Sequence, residues 1–228
     1  MSPKKIDYIP LRISRKPLLR KLGRVGNNKS LSARMRKHIN KAINEIKKNA
    51  HPRAIFRLFP VVTDEEVVTI GKRAILKSRK LARIFEPCKR AGVFLVTLGK
   101  EVDKIIDNAV EQQPYYGFIL DAAASLAVES SAEYVQNFID QEYTSNQEKT
   151  LRYSPGFSGW SITEQKKLFQ TLPSEKINVN LSDAYLMSPQ KSISGLIGIG
   201  SGVQIHEPEN ICARCPKTEC RHRKLQYN

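Results

Sequence analysis

Between residues 31 and 49 the apolar positions Leu31, Met35, Ile39, Ile43 and Ile46 recur every three or four residues, and Lys and Arg crowd the positions between them. That spacing predicts a helix with one apolar stripe. The stripe is narrow, so the helix must dock on the rest of the chain or on a partner. Ahead of it, residues 17–23 (PLLRKLG) predict a short helix. Thr63 with Glu66 reads as a capping box. The apolar positions from Val67 through Val68, Ile70, Ile75 and Leu76 to Leu81 then predict a helix over about 64–84. Residues 91–98 (AGVFLVTL) form a short continuous apolar run, which predicts a buried strand ending at Gly99.

Helical spacing returns over 100–112 and is stopped by Pro114. Residues 115–143 predict the longest helix, rich in small residues at its start, where a neighbouring element can pack closely. A polar loop follows over 144–160. Ser161 and Glu164 read as a second capping box, opening a short helix that reaches about Leu172. Strands are predicted at 177–181, 187–189 and 192–200, the last loosened by glycines. The order predicts an α+β fold: a helical N-terminal part, a long central helix and a mainly antiparallel sheet formed by later strands.

Charge divides the chain more sharply than hydropathy does. The 228 residues carry a net +16. Residues 1–60 hold 17 Lys and Arg against Asp7 and Glu45, which leaves +15 there and a nearly neutral remainder. Three pieces are expected: a basic helical segment over 1–60, a core over 61–205 and a Cys-rich basic tail over 206–228. A basic arm of this kind contacts nucleic acid or an acidic partner, or serves as a solvated face. No RNP motif, zinc-finger spacing or leucine-zipper heptad makes nucleic acid specific. With no apolar run of about 18 residues and no signal-peptide stretch after Met1, a cytoplasmic protein without a membrane span is expected.

The stretch 150–160 concentrates candidate binding chemistry. Arg152 offers a planar fork suited to a carboxylate. Pro155-Gly156 supplies a tight turn whose backbone can approach a ligand. Phe157 and Trp160 offer ring faces to a base. A ligand with a carboxylate and an aromatic ring would suit this set; a structural turn with an exposed arginine is the plainer reading.

Arg152-x-x-Pro155-Gly156-Phe157, followed by Tyr185-Leu186-Met187-Ser188-Pro189-x-Lys191-Ser192-Ile193-Ser194-Gly195, resembles the activation domain of cobalamin-dependent methionine synthase, in its free-standing form. Leu19-Arg20-x-Leu22-Gly23 and Thr97-Leu98-Gly99 fit the same picture. The resemblance covers most of the chain from about residue 12 and is strongest over 120–200. It implies binding of S-adenosylmethionine and reductive remethylation of an inactive Co(II) corrinoid held by a partner methyltransferase, with one electron from a donor. It places Arg152 on the ligand carboxylate, Pro155 and Gly156 in the turn, and Phe157 where the family has tyrosine. It also puts Glu129, on the long helix, near the ligand's charged end. The work implied is positioning rather than acid–base chemistry.

The tail carries a separate signal. Cys212-x2-Cys215-x4-Cys220, with His222 just after, has the spacing of thiolates around one metal, either zinc or an iron–sulfur cluster, with His222 or Cys88 as the possible fourth ligand. Three structural thiols are the alternative. The rival function is a nucleic-acid-binding protein that uses the basic N-terminal segment and a metal-binding tail.

Overall fold

The computed structural model describes residues 1–23, 31–72, 74–144, 148–156 and 159–201. In chain order the elements are β1 (Lys4–Ile6), α1 (Arg15–Lys21), α2 (Ala33–Asn49), β2 (Arg53–Asp64), β3 (Val67–Ile70), β4 (Ala74–Lys77), α3 (Arg79–Phe85) and β5 (Cys88–Thr97). Then come α4 (Lys100–Gln112), α5 (Pro114–Tyr143), β6 (Glu148–Lys149), α6 (Gln165–Phe169), β7 (Asn180–Leu181), β8 (Met187–Ser188) and β9 (Ser192–Gly200). The α+β expectation holds.

A seven-stranded sheet runs β4-β3-β2-β5-β9-β6, with β1 also paired to β2, and every described pairing in it is antiparallel. Side chains alternate across this sheet with period two. On one face Ala54, Phe56 and Leu58 of β2, Phe94 and Val96 of β5, and Ile197 and Ile199 of β9 pack under α1, α2, α4 and α5. On the other, Ile55 and Phe59 of β2, Val93 and Leu95 of β5, and Leu196 of β9 pack against β3, β4, α3 and α6.

The helix over 31–49 forms as its stripe demands. Ser32 caps it, its hydroxyl accepting from Met35 N at 3.2 Å, and Met35, Ile39, Ala42 and Ile46 are buried. The chain supplies the docking surface itself, namely α5, whose Ala122, Ala123, Ala124, Ala127 and Ala132 are buried in the same core. The division expected at residue 60 falls inside β2, and residues on both sides of it share this core.

The helix expected over 64–84 does not exist as such. Asp64 pairs with Val67, so Glu65-Glu66 is the tip of a two-residue hairpin and not the first turn of a helix. Val67 to Ile70 then alternates, with Val68 and Ile70 buried, and β4 follows. Gly71, at φ +57°, takes the left-handed conformation at the next corner. Only the last part of the stretch is helical: α3, capped by Ser78, whose hydroxyl accepts from Leu81 N at 3.2 Å.

Smaller differences have equally local causes. Pro114 opens α5 at its first position, where the missing N–H costs nothing. The strand expected over 177–181 shortens to β7, because residues 174–177 make a 3-10 turn and Asn178 turns left-handed at φ 57°. β6, inside the expected loop, pairs with the end of β9.

Candidate functional site

Residues 148–153 run along the open edge of β9. Thr150 N donates to Gly198 O at 2.9 Å, and Gly198 N donates to Thr150 Oγ1 at 2.8 Å. Tyr153 and Leu196 exchange backbone hydrogen bonds at 2.9 and 2.8 Å. This approach requires glycine at 195. A Cβ built there would lie 2.9 Å from both Tyr153 O and Phe94 Cε1, too close for any side chain. The edge pairing therefore fixes Arg152 along β9, whose Ile193 and Ser194 line the same cavity.

After Tyr153 the chain leaves the sheet through Pro155 and Gly156. Gly156 sits at φ +89°, and its N–H donates to Trp160 O at 2.8 Å. Trp160 is buried in the second core, so its ring serves packing and is not free to stack on a base. Ser161 caps the following turn through Thr163 N at 3.3 Å. Glu164 does not complete a capping box. Its carboxylate accepts from Lys77 N at 3.1 Å and from Lys167 Nζ at 2.8 Å, tying α6 to β4.

These segments surround a cavity of about 380 Å³. Arg152 to Pro155 form one wall, Ser192 to Ser194 another, and Ile162, Gln165 and Met187 a third, while Glu129 reaches it from α5. Arg152 Nη2 donates to Glu129 Oε2, and this ion pair joins the β9 edge to the helix layer. Arg152 is largely buried and Glu129 about half exposed, at 20% and 54% of side-chain surface.

The start of β9 is anchored from outside the cavity. Asp103 of α4 accepts from Gln190 N at 2.6 Å and Lys191 N at 3.3 Å. Lys191 Nζ lies 2.7 Å from Asp121 Oδ1 and donates to Ser125 Oγ at 3.1 Å, both on α5. Ser192 Oγ lies 2.9 Å from Thr97 Oγ1, which also accepts from Gly99 N at 3.1 Å. The Thr97-Leu98-Gly99 and Lys191-Ser192 pieces, noted separately in the sequence, are thus one contact.

Of the candidate residues, Arg152, Pro155 and Glu129 meet at the cavity, and Gly156 makes the turn behind it. Phe157 lies outside the described residues, as do Cys212, Cys215, Cys220 and His222. Cys88 is buried in the second core, and burial pushes its thiol up to about 12. A thiol held protonated is a poor metal ligand. Burial also raises the Tyr153 phenol, with Cys88 a lesser cause. Among the described residues no group of three or more His, Cys, Asp or Glu suits a metal ion, and no helix is long and apolar enough to cross a membrane.

Gln165, Ile162, Met187, Ser192, Ile193 and Ser194 were not singled out as site residues. Four of them lie in the Met187-to-Gly195 stretch, which was the available signal. Gln165 showed itself only as a polar residue between Ile162 and Leu168 on a short helix.

Residues 86–211, more than half of the chain, match the family model described as the activation domain of vitamin B12 dependent methionine synthase. The fold is similar to a solved structure described as the crystal structure of the MetH reactivation domain bound to AdoHcy, with a TM-score of 0.66, 17% identity, and coverage of 90% of this chain and 81% of that one. At that identity the likeness speaks for the fold. No curated protein matches the chain.

Proposed function

The chain belongs to the family of vitamin B12-dependent methionine synthase activation domains, and from that premise we propose that it is a cytoplasmic protein that binds S-adenosylmethionine in the Arg152–Glu129 cavity. There it supports reductive remethylation of the cob(II)alamin form of a corrinoid-dependent methionine synthase or a related methyltransferase. The observation that carries the reading is the pairing of one cation and one anion at a cavity otherwise rich in apolar walls. Its volume of about 380 Å³ lies within the range of small-molecule sites. The structural relative's bound AdoHcy is the demethylated form of the same ligand.

The residues fit such a ligand. Arg152 presents a fork to the carboxylate of its amino-acid end. Glu129 stands beside it, where it would take the ammonium. Pro155, Ile162, Met187 and Ile193 provide the apolar surface for the remainder. The bound ligand supplies the methyl group, and a separate donor supplies one electron to the partner's corrinoid. This chain's residues orient the ligand and shield it on the sides away from the opening, so the contribution to rate is positional. The basic tail is proposed to hold zinc or an iron–sulfur cluster on Cys212, Cys215 and Cys220. Metal and sulfide analysis of anaerobically purified protein decides this: finding neither iron nor zinc leaves the thiols structural.

Titration calorimetry tests the ligand assignment. The intact chain should bind S-adenosylmethionine and its demethylated product. Arg152→Ala should lose about 2–3 kcal/mol of affinity, the worth of a largely buried charged hydrogen bond. Unchanged affinity in that variant removes Arg152 from the site.

A further inference from the structure

Gln165 opens α6 and is buried, with 3% of its surface exposed. Its Nε2 donates to Tyr185 O at 3.1 Å, and its Oε1 accepts from Ser194 Oγ at 3.1 Å. The orientation follows from the partners. A backbone carbonyl only accepts, so the amide nitrogen must face Tyr185, and the amide oxygen then receives the serine hydroxyl.

Three segments distant in sequence meet through this one side chain: α6, the turn before β8, and β9. α6 and β9 contribute the cavity residues Gln165 and Ser194, and the turn leads directly into a third, Met187 of β8. Packing holds the flanks of the turn, through buried Val179 on one side and Met187 against the second core on the other, but its own described hydrogen bonds are otherwise internal. Residues 182–186 bond among themselves, with Tyr185 N donating to Ser182 O and Leu186 N to Ser182 Oγ. Among the described residues β7 and β8 pair only with each other, over two residue pairs, outside the main sheet. Tyr185 sits at φ +60°, a conformation that costs a non-glycine residue energy and persists only where its surroundings enforce it. Among the described hydrogen bonds, the one from Gln165 is what joins this turn to the body of the protein.

We propose that Gln165 is a positioning residue for the ligand site: by bonding Tyr185 O and Ser194 Oγ together it holds the Met187 wall at the distance from β9 that the ligand requires. This rests on the reading of the cavity as the S-adenosylmethionine site. Gln165 acts by fixing the wall before the ligand arrives, which lowers the ordering cost of binding.

The test uses the full chain, with Gln165→Leu and Gln165→Glu beside the wild type, and two readouts. The first is hydrogen exchange of the segment 182–187 without ligand. Exchange should be at least several-fold faster in Gln165→Leu; an unchanged rate overturns the tie. The second is S-adenosylmethionine affinity at pH 8 and pH 5.5. Gln165→Leu should bind about tenfold more weakly than wild type at both. In Gln165→Glu an ionised carboxylate cannot donate to Tyr185 O, so the deficit should appear at pH 8. A protonated carboxyl restores the donor, so the deficit should shrink several-fold at pH 5.5. The rest of the cavity is the same in all three proteins, so the pH dependence of wild-type binding divides out of the ratio. Wild-type affinity in either variant at pH 8, or a Gln165→Glu deficit independent of pH, overturns the positioning role. Absence of S-adenosylmethionine binding by the wild type sinks the ligand reading instead, while the exchange result still decides the tie. If Gln165→Leu fails to fold, Gln165→Glu carries both measurements.

Discussion

The two faces of the sheet are built differently. Under α1, α2, α4 and α5 the core is almost wholly apolar; the buried Ser131 hydroxyl there donates to Ala127 O of its own helix at 2.9 Å. Long helices satisfy their own backbones, so their side chains are free to seal the layer. The opposite face is assembled from short strands, turns and helices of five to seven residues. Its short pieces leave backbone groups to be met, and buried polar side chains meet them: Thr150 at Gly198 N, Gln165 at Tyr185 O. The cavity opens where this patchwork meets the edge of the helix layer. Apolar packing makes the scaffold, and polar ties between short segments shape the site.

The largest expected effect tests the scaffold half of that contrast. Ile39 is fully buried between α2 and α5. Ile39→Ala should cost about 3–4 kcal/mol of stability through lost burial and the cavity left behind. The folded protein should keep its ligand affinity within about twofold, because no residue of α2 lines the cavity. Urea melts and calorimetry on the same preparation check both. A matching loss of affinity would show that the helix layer shapes the site directly.

A smaller effect is expected on the other face. Gly195→Ala puts a methyl where Tyr153 O and Phe94 lie at 2.9 Å. Relieving the clash should cost about 1–3 kcal/mol of stability. It must also push the 150–153 edge away from β9 and move Arg152, so affinity should fall even in fully folded protein. Stability lost with affinity intact would mean that the edge shifts without taking Arg152 out of the cavity.

The same contrast explains what could be read from the sequence. The helices over 31–49, 100–112 and 115–143 and the strands over 91–98 and 192–200 carry long periodic or continuous apolar patterns, and these decide their own structure. Residues 64–84 do not. Thr63 and Glu66 imitate a helix cap, while the chain's actual state depends on pairing with β2 and on a hairpin tip of two glutamates, both set by tertiary context. Within the site, Arg152, Pro155 and Gly156 stood out because turn chemistry and a charged fork are local features. Gln165 did not, because its partners lie 20 and 29 residues away. Trp160 was misread for a related reason: an aromatic residue in a polar loop gives no sign that the loop folds back into a core.

The smallest effect concerns the ion pair that joins the two constructions at the cavity. Glu129 comes from the helix layer and Arg152 from the β9 edge. Without ligand, Glu129 neutralises Arg152. A ligand carboxylate must take part of that pairing, while the ligand ammonium gives Glu129 a new partner. Glu129→Gln therefore removes both a competitor for Arg152 and a contact for the ammonium. The two changes oppose each other, and Glu129 is half exposed, so the net change in S-adenosylmethionine affinity should stay within about 1 kcal/mol. The components separate with an analogue that keeps the carboxylate and lacks the α-amino group. That analogue has nothing to offer Glu129, so it should bind more tightly to Glu129→Gln than to the wild type. S-adenosylhomocysteine, with both groups, should bind the variant less well or equally. If the analogue weakens together with S-adenosylhomocysteine, Glu129 acts by holding Arg152 in place, and the helix layer contributes geometry to the site rather than charge.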